Sequence, residues 1–140
     1  MNVHSVSLKG KRNQNEDKHI VQMNCDGKNT ELNNINMFGV FDGHGGKDVS
    51  KFIRTNIPKY FTKKGIKYPI TRKYIENVHD HLQQVLKKNH SAIADNMGTT
   101  SLIVLHYKDD GDEYLNVINV GDSRCVLCSC LLYTSDAADE

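Results

Sequence analysis

Met37-Phe38-Gly39-Val40-Phe41, followed at once by Asp42-Gly43-His44-Gly45-Gly46, is the stretch on which the fold turns. Five nearly continuous apolar residues predict a central strand covered on both faces. The strand stops abruptly, so the backbone of Asp42 is anchored in the core while its carboxylate emerges at the strand end. Three glycines within the next four positions permit positive φ and close backbone approach. They leave the Gly43 carbonyl free to act as a hard oxygen ligand. A tight strand-to-helix turn in which Asp42 caps the next helix accounts for the same residues.

Upstream, Val3 to Leu8 alternates with a period of two and predicts a half-buried strand that Lys9-Gly10-Lys11 ends. His19 to Met23 predicts a second strand, and Cys25-Asp26-Gly27-Lys28-Asn29 a polar turn. Downstream, Val49, Phe52, Ile53 and Ile57 share a helical face, with Pro58 and Gly65 marking the end of that segment. Ile75, Val78, Leu82, Val85, Leu86 and Ile93 keep helical spacing over about six turns. Thr99 to His106 and Tyr114 to Val120 predict two strands joined by a hairpin at Lys108 to Asp112, and Ser123 to Cys128 begins a third. Strands, two helices, strands: the order is that of an α+β domain with mostly antiparallel pairing.

At 140 residues the chain has the length of one domain. Eighteen basic against seventeen acidic residues give a net charge of +1, which predicts neither nucleic acid nor an acidic membrane as a partner. No stretch approaches the ~18 apolar residues of a membrane span. The start carries neither a secretory pattern nor a Met-Gly myristoylation site. Four cysteines, at 25, 125, 128 and 130, do not make a disulfide framework. The expected setting is a reducing one, cytoplasm or nucleus.

Carboxylates cluster at strand ends. Besides Asp42, adjacent Glu16 and Asp17 lie on an extended segment, where neighbouring side chains face opposite ways, so one of them at most is a direct ligand at a given site. Gly121-Asp122 places a third acid after an alternating strand, with Arg124 as a candidate ion-pair partner. Three acidic loops and a glycine-flanked histidine suggest Mg²⁺ or Mn²⁺ on oxygen ligands. Zinc fits less well, because His44 has no partner histidine at i+4 and Cys125-x2-Cys128-x-Cys130 has no second ligand pair. His79, His81 and His90 read as surface residues of a polar helix.

Four blocks in order resemble the metal-dependent Ser/Thr protein phosphatases of the 2C type: Arg12-Asn-Gln-Asn-Glu16-Asp17, Phe41-Asp42-Gly43-His44-Gly45-Gly46, Gly98-Thr99-Thr100 and Asn119-Val120-Gly121-Asp122-Ser123-Arg124. The resemblance implies a four-layer α-β-β-α sandwich of two antiparallel sheets flanked by helices, with residues 71–94 as a helix on one face. It implies two Mg²⁺ or Mn²⁺ ions, with a third in some members, and a phosphoprotein substrate taken by a monomer. Asp42 is similar to the carboxylate that bridges the two metals; Glu16 and the Gly43 carbonyl complete the ligands of the second, with Asp17 in support. Arg12 resembles the arginine that holds the phosphate, His44 the acid that protonates the leaving alkoxide, and Asp122 a ligand of the third ion. Thr99 and Thr100 match a structural motif without a catalytic role.

Two further metal-binding aspartates of the family pattern, in Asp-Gly and Gly-x-x-Asp-Asn motifs, do not occur. Residues 1–128 are therefore expected to be the N-terminal portion of the catalytic domain, an incomplete sandwich with little or no activity of its own. Residues 129–140 fit neither a returning strand nor a C-terminal helix and are expected to be foreign to the domain. The alternative is a non-catalytic, phosphatase-like binding or regulatory module.

Overall fold

A computed structural model describes residues 2–25, 35–63 and 66–128. Strands β1 (Lys18–Gln22), β2 (Asn36–Phe41), β5 (Ser101–Asp109) and β6 (Asp112–Val120) form one antiparallel sheet in the order β1-β2-β5-β6. A second antiparallel pair joins β3 (Gly43–His44) to β4 (Gly98–Thr99). Between them lie helices α1 (Asp48–Asn56), α2 (Pro58–Phe61), α3 (Arg72–Asn89) and α4 (Ser91–Asn96). The architecture is α+β, with two antiparallel sheets and helices, as the sequence predicts.

Register explains why the apolar strand sits where it does. Gly39 lies between Ile20 of β1 and Ile103 of β5, and Met37 opposite Leu105. Met37, Phe41, Ile103 and Leu105 are fully buried, and they pack with Ile57, Phe61, Ile70, Val78 and Leu82 from the helical layer. Each such side chain contributes roughly 1.5–3 kcal/mol on leaving water. The opposite face is different. Val21, Val40, Leu115 and Val117 remain 45–48% exposed. The expectation that the central strand is covered on both faces therefore fails among the described residues, because the helices pack on one face only.

Local rules account for most boundaries. Pro58 opens α2 at its first turn rather than ending the helical segment. Thr71 caps α3, its hydroxyl accepting from the Tyr74 N–H at 3.3 Å. The six-turn periodicity breaks at His90, whose extended φ of −147° ends α3 before α4 begins. Asp110 and Gly111, both at positive φ, make the two-residue turn between β5 and β6. Residues 2–9 form no strand. Among the described residues their alternation has no neighbouring strand to pair with, and Val6 and Leu8 stand exposed. Residues 123–128 are likewise irregular. The predicted turn at 26–29, Gly65 and the tail at 129–140 lie outside the described residues.

Candidate active site

Asp42 leaves the sheet at the end of β2, and its backbone is held on both sides by Thr100. The Asp42 N–H donates to Thr100 Oγ1 at 3.0 Å, and the Thr100 N–H returns a bond to the Asp42 carbonyl at 2.9 Å. Thr100 Oγ1 also lies 2.6 Å from Ser123 Oγ, and Asn119 Nδ2 donates to the Ser123 carbonyl at 2.8 Å. This chain of bonds ties the 119–123 turn, and with it Asp122, to the end of β2. Thr100 thus anchors two of the acidic loops, a role its motif alone did not disclose.

The carboxyl of Asp42 is raised above its ordinary pKa, first by desolvation, then by the charge of Asp17 and a hydrogen bond with it, and by the charge of Asp122; Arg12 opposes the shift. Asp17, Asp122 and Arg12, three further candidates read from the sequence, therefore all act on Asp42 across the fold. Burial and the neighbouring carboxylates both disfavour the charged form of Asp42, and Arg12 offsets part of that effect.

Glu16 enters differently. Adjacent residues of an extended segment face opposite ways; Asp17 meets Asp42, while the Glu16 carbonyl accepts a short hydrogen bond from the Ser50 hydroxyl. Gly43 sits against the same carbonyl: a Cβ there would lie 2.5 Å from the Glu16 oxygen and 3.0 Å from Ser50 Oγ. Only a glycine admits so close an approach. Ser50 is fully buried on α1. A small hydroxyl adjoining the apolar face of Val49, Ile53 and Ile57 was the sequence sign of it.

His44 is exposed at the end of β3, with its ring laid over Gly98 of β4; a Cβ on Gly98 would stand 2.4 Å from both Cε1 and Nε2. Its backbone is followed by Gly45 at φ +74°, whose missing Cβ leaves room for the Asn96 carbonyl. A cavity of about 450 Å³ runs from His44 past Thr99 and Ser101 to His79. His79 is not the surface residue expected of it. Its Nδ1 lies 2.8 Å from the Ile75 carbonyl and its Nε2 3.1 Å from Ser101 Oγ, which tethers α3 to the start of β5.

The family model of protein phosphatase 2C matches residues 1–130. The chain belongs to the protein phosphatase 2C family. It is 31% identical over 135 residues to protein phosphatase 1L of Bos taurus, covering 91% of this chain and 35% of that protein. It is 33% identical over 126 residues to probable protein phosphatase 2C 59 of Oryza sativa subsp. japonica, covering 88% and 35%. The chain thus spans about a third of the length of these curated relatives. Among solved structures, a bacterial serine phosphatase bearing an R161E mutation superposes with a TM-score of 0.56 over 82% of this chain and 50% of that one. At 23% identity that likeness concerns the fold.

Protein phosphatases 2C are generally metal-dependent, and the oxygen donors here are of the right kind for a hard cation. They do not close around one. Among the described residues no three His, Cys, Asp or Glu side chains come together as a metal-holding group. Asp17 lies within hydrogen-bond reach of Asp42, and Asp122 and Arg12 act on Asp42 by charge.

Proposed function

We propose that residues 1–128 are the N-terminal portion of a phosphatase 2C catalytic domain, and that the whole domain hydrolyses phosphoserine and phosphothreonine in proteins. The observation that carries this reading is Asp42 at the end of the buried strand β2, hydrogen-bonded with Asp17 and within the electrostatic reach of Asp122 and Arg12. An arginine beside clustered carboxylates suits a phosphate dianion, which its planar fork grips through two parallel hydrogen bonds while bound cations offset the acids. His44, exposed and held over Gly98, is the group that would protonate the departing serine or threonine oxygen.

Asp42 and the Gly43 carbonyl, with one of Glu16 and Asp17 as ligand and the other in support, would supply the chain's share of oxygens to Mg²⁺ or Mn²⁺, and Asp122 a share to a further ion. Among the described residues these donors do not converge as a group of three. Tight binding of cations needs further carboxylates, and the 140-residue chain alone is expected to be inactive. The same absence of a closed donor set favours a second reading, a phosphatase-like module that binds partners without catalysis.

Extension of the chain by its natural downstream coding sequence separates the two. The catalytic reading expects Mn²⁺-dependent release of phosphate from a phosphothreonine peptide by the extended protein, abolished by Asp42→Ala, with no turnover by residues 1–140. A folded extended protein without activity establishes the binding module instead. Turnover by residues 1–140 that Asp42→Ala abolishes would overturn the half-site assignment.

A further inference from the structure

Charge along this nearly neutral chain is unevenly placed. Lys59, Lys63, Lys64, Lys67, Arg72 and Lys73 fall within fifteen residues that contain no acid. The remaining 12 basic and 17 acidic residues leave the rest of the chain at −5. Of the five described members, each is exposed. Arg72 pairs with Glu76 at 2.7 Å, but Lys59, Lys63, Lys67 and Lys73 form no ion pair among the described residues. Four unneutralised lysines between α2 and the first turn of α3, two of them on the connection itself, repel one another and raise the local positive potential.

The connection is also concave. Lys63 and Lys67 stand at a pocket of about 310 Å³ whose other walls include Ile66, Pro69, Ile70 and Tyr74. The Tyr74 ring carries the Lys63 ammonium 5.5 Å from its centroid, and the Tyr74 hydroxyl donates to the Tyr60 carbonyl at 2.7 Å. The aromatic is therefore fixed in place. This pocket lies away from the acidic site. Ile70 N–H donates to Asn116 Oδ1 at 3.3 Å, and Asn116 pairs with Leu105. Asp42 is bonded to Thr100, five residues back along the same strand line, roughly 17 Å away.

We propose that this pocket is a docking site for an acidic peptide segment of a partner protein, with carboxylates on Lys63 and Lys67 and one apolar side chain against Ile66, Ile70 and Tyr74. Charge complementarity selects an anion, and the size of the pocket selects a short one. A long polyanion such as RNA would run beyond the lysines and meet the net negative remainder of the chain. A bilayer surface is too flat to fill the concavity. The assignment rests on charge and shape, and it stands or falls independently of the phosphatase reading.

The probe is a fluorescein-labelled peptide with three glutamates on either side of one leucine, titrated with the 140-residue chain and followed by anisotropy at low and physiological salt. Saturable binding that weakens with salt is expected. Lys63→Glu/Lys67→Glu should lose about tenfold or more in affinity, and replacing the leucine of the probe by serine should also weaken binding. Lys87→Glu/Lys88→Glu, the same charge change on exposed residues at the other end of α3, should leave it nearly unchanged. Circular dichroism verifies that each variant is folded. Equal loss in both double variants, or no binding by the folded wild-type chain, overturns the site. Tighter binding of single-stranded RNA or of anionic vesicles, abolished by the 63/67 pair, overturns the peptide assignment. So does self-association that the 63/67 pair abolishes, since the pocket's occupant would then be a second copy.

Discussion

Gly43→Ala tests the construction of the site most directly, because the collision it creates is with backbone rather than with a yielding side chain. The new Cβ would lie 2.5 Å from the Glu16 carbonyl oxygen, where ordinary contact begins at 3.4 Å, so about 0.9 Å must be found by moving β3 or the segment that carries Glu16. Glu16 cannot retreat freely, for its carbonyl is held by the Ser50 hydroxyl, which also lies 3.0 Å from the Lys47 carbonyl of its own helix turn. Nor can β3 move without straining its pairing of Gly43 with Thr99. Overpacking of this kind costs about 1–3 kcal/mol. For a chain of this length that corresponds to a fall in Tm of roughly 3–10 °C. Thermal unfolding followed by far-ultraviolet circular dichroism measures it. The shift should be accompanied by loss of the Asp17–Asp42 coupling, so that Asp42→Asn changes stability less in the alanine background than in the glycine one. A Tm within about 1 °C of the parent would refute the close approach.

Asp42→Asn should stabilise the metal-free chain near neutral pH. Folding raises this carboxyl's pKa, so its contribution is favourable at low pH and is lost as pH rises through the folded value. The gain, on the order of a few tenths of a kcal/mol at so exposed a site, should vanish below about pH 4; a gain that persists there in thermal scans would contradict the electrostatic cause. Thr100→Val removes the acceptor for the Asp42 N–H and the contact with Ser123, and should cost about 1 kcal/mol in urea unfolding, with Thr100→Ser close to the parent. Gly98→Ala should displace the His44 imidazole, so nitrogen-15 spectra of the histidine rings should change more at His44 than at His79. Equal or absent changes would remove Gly98 as its seat.

Much of the fold was legible because its rules are local. A continuous apolar run predicted β2, helical spacing predicted α1 and α3, and the loop at Lys108 to Asp112 between two predicted strands gave the β5–β6 hairpin. Resemblance of four ordered blocks reached the family that the comparison over residues 1–130 establishes. The failures have a common cause. Val3 to Leu8 alternates as a strand does, yet alternation supplies no partner, and Val6 and Leu8 are left in solvent. His79 looked like a surface residue of a polar helix, because Ser101, which binds its ring, is 22 residues distant in the chain.

By itself, the sequence determined which residue types the site would contain: acids at strand ends, an arginine, a histidine among glycines. Tertiary structure alone decided how they meet. Antiparallel pairing of Gly43 with Thr99 brings Thr100 to the Asp42 backbone, and Ser50 to the Glu16 carbonyl by way of α1. Alongside those contacts, Asp17 comes within hydrogen-bond reach of Asp42 and Asp122 within its electrostatic reach. Chain separations of 25 and 58 residues carry no periodicity that a local pattern could expose. Hydrogen-bond register and the close approach that glycine permits set those distances, and both exist only once the strands have paired.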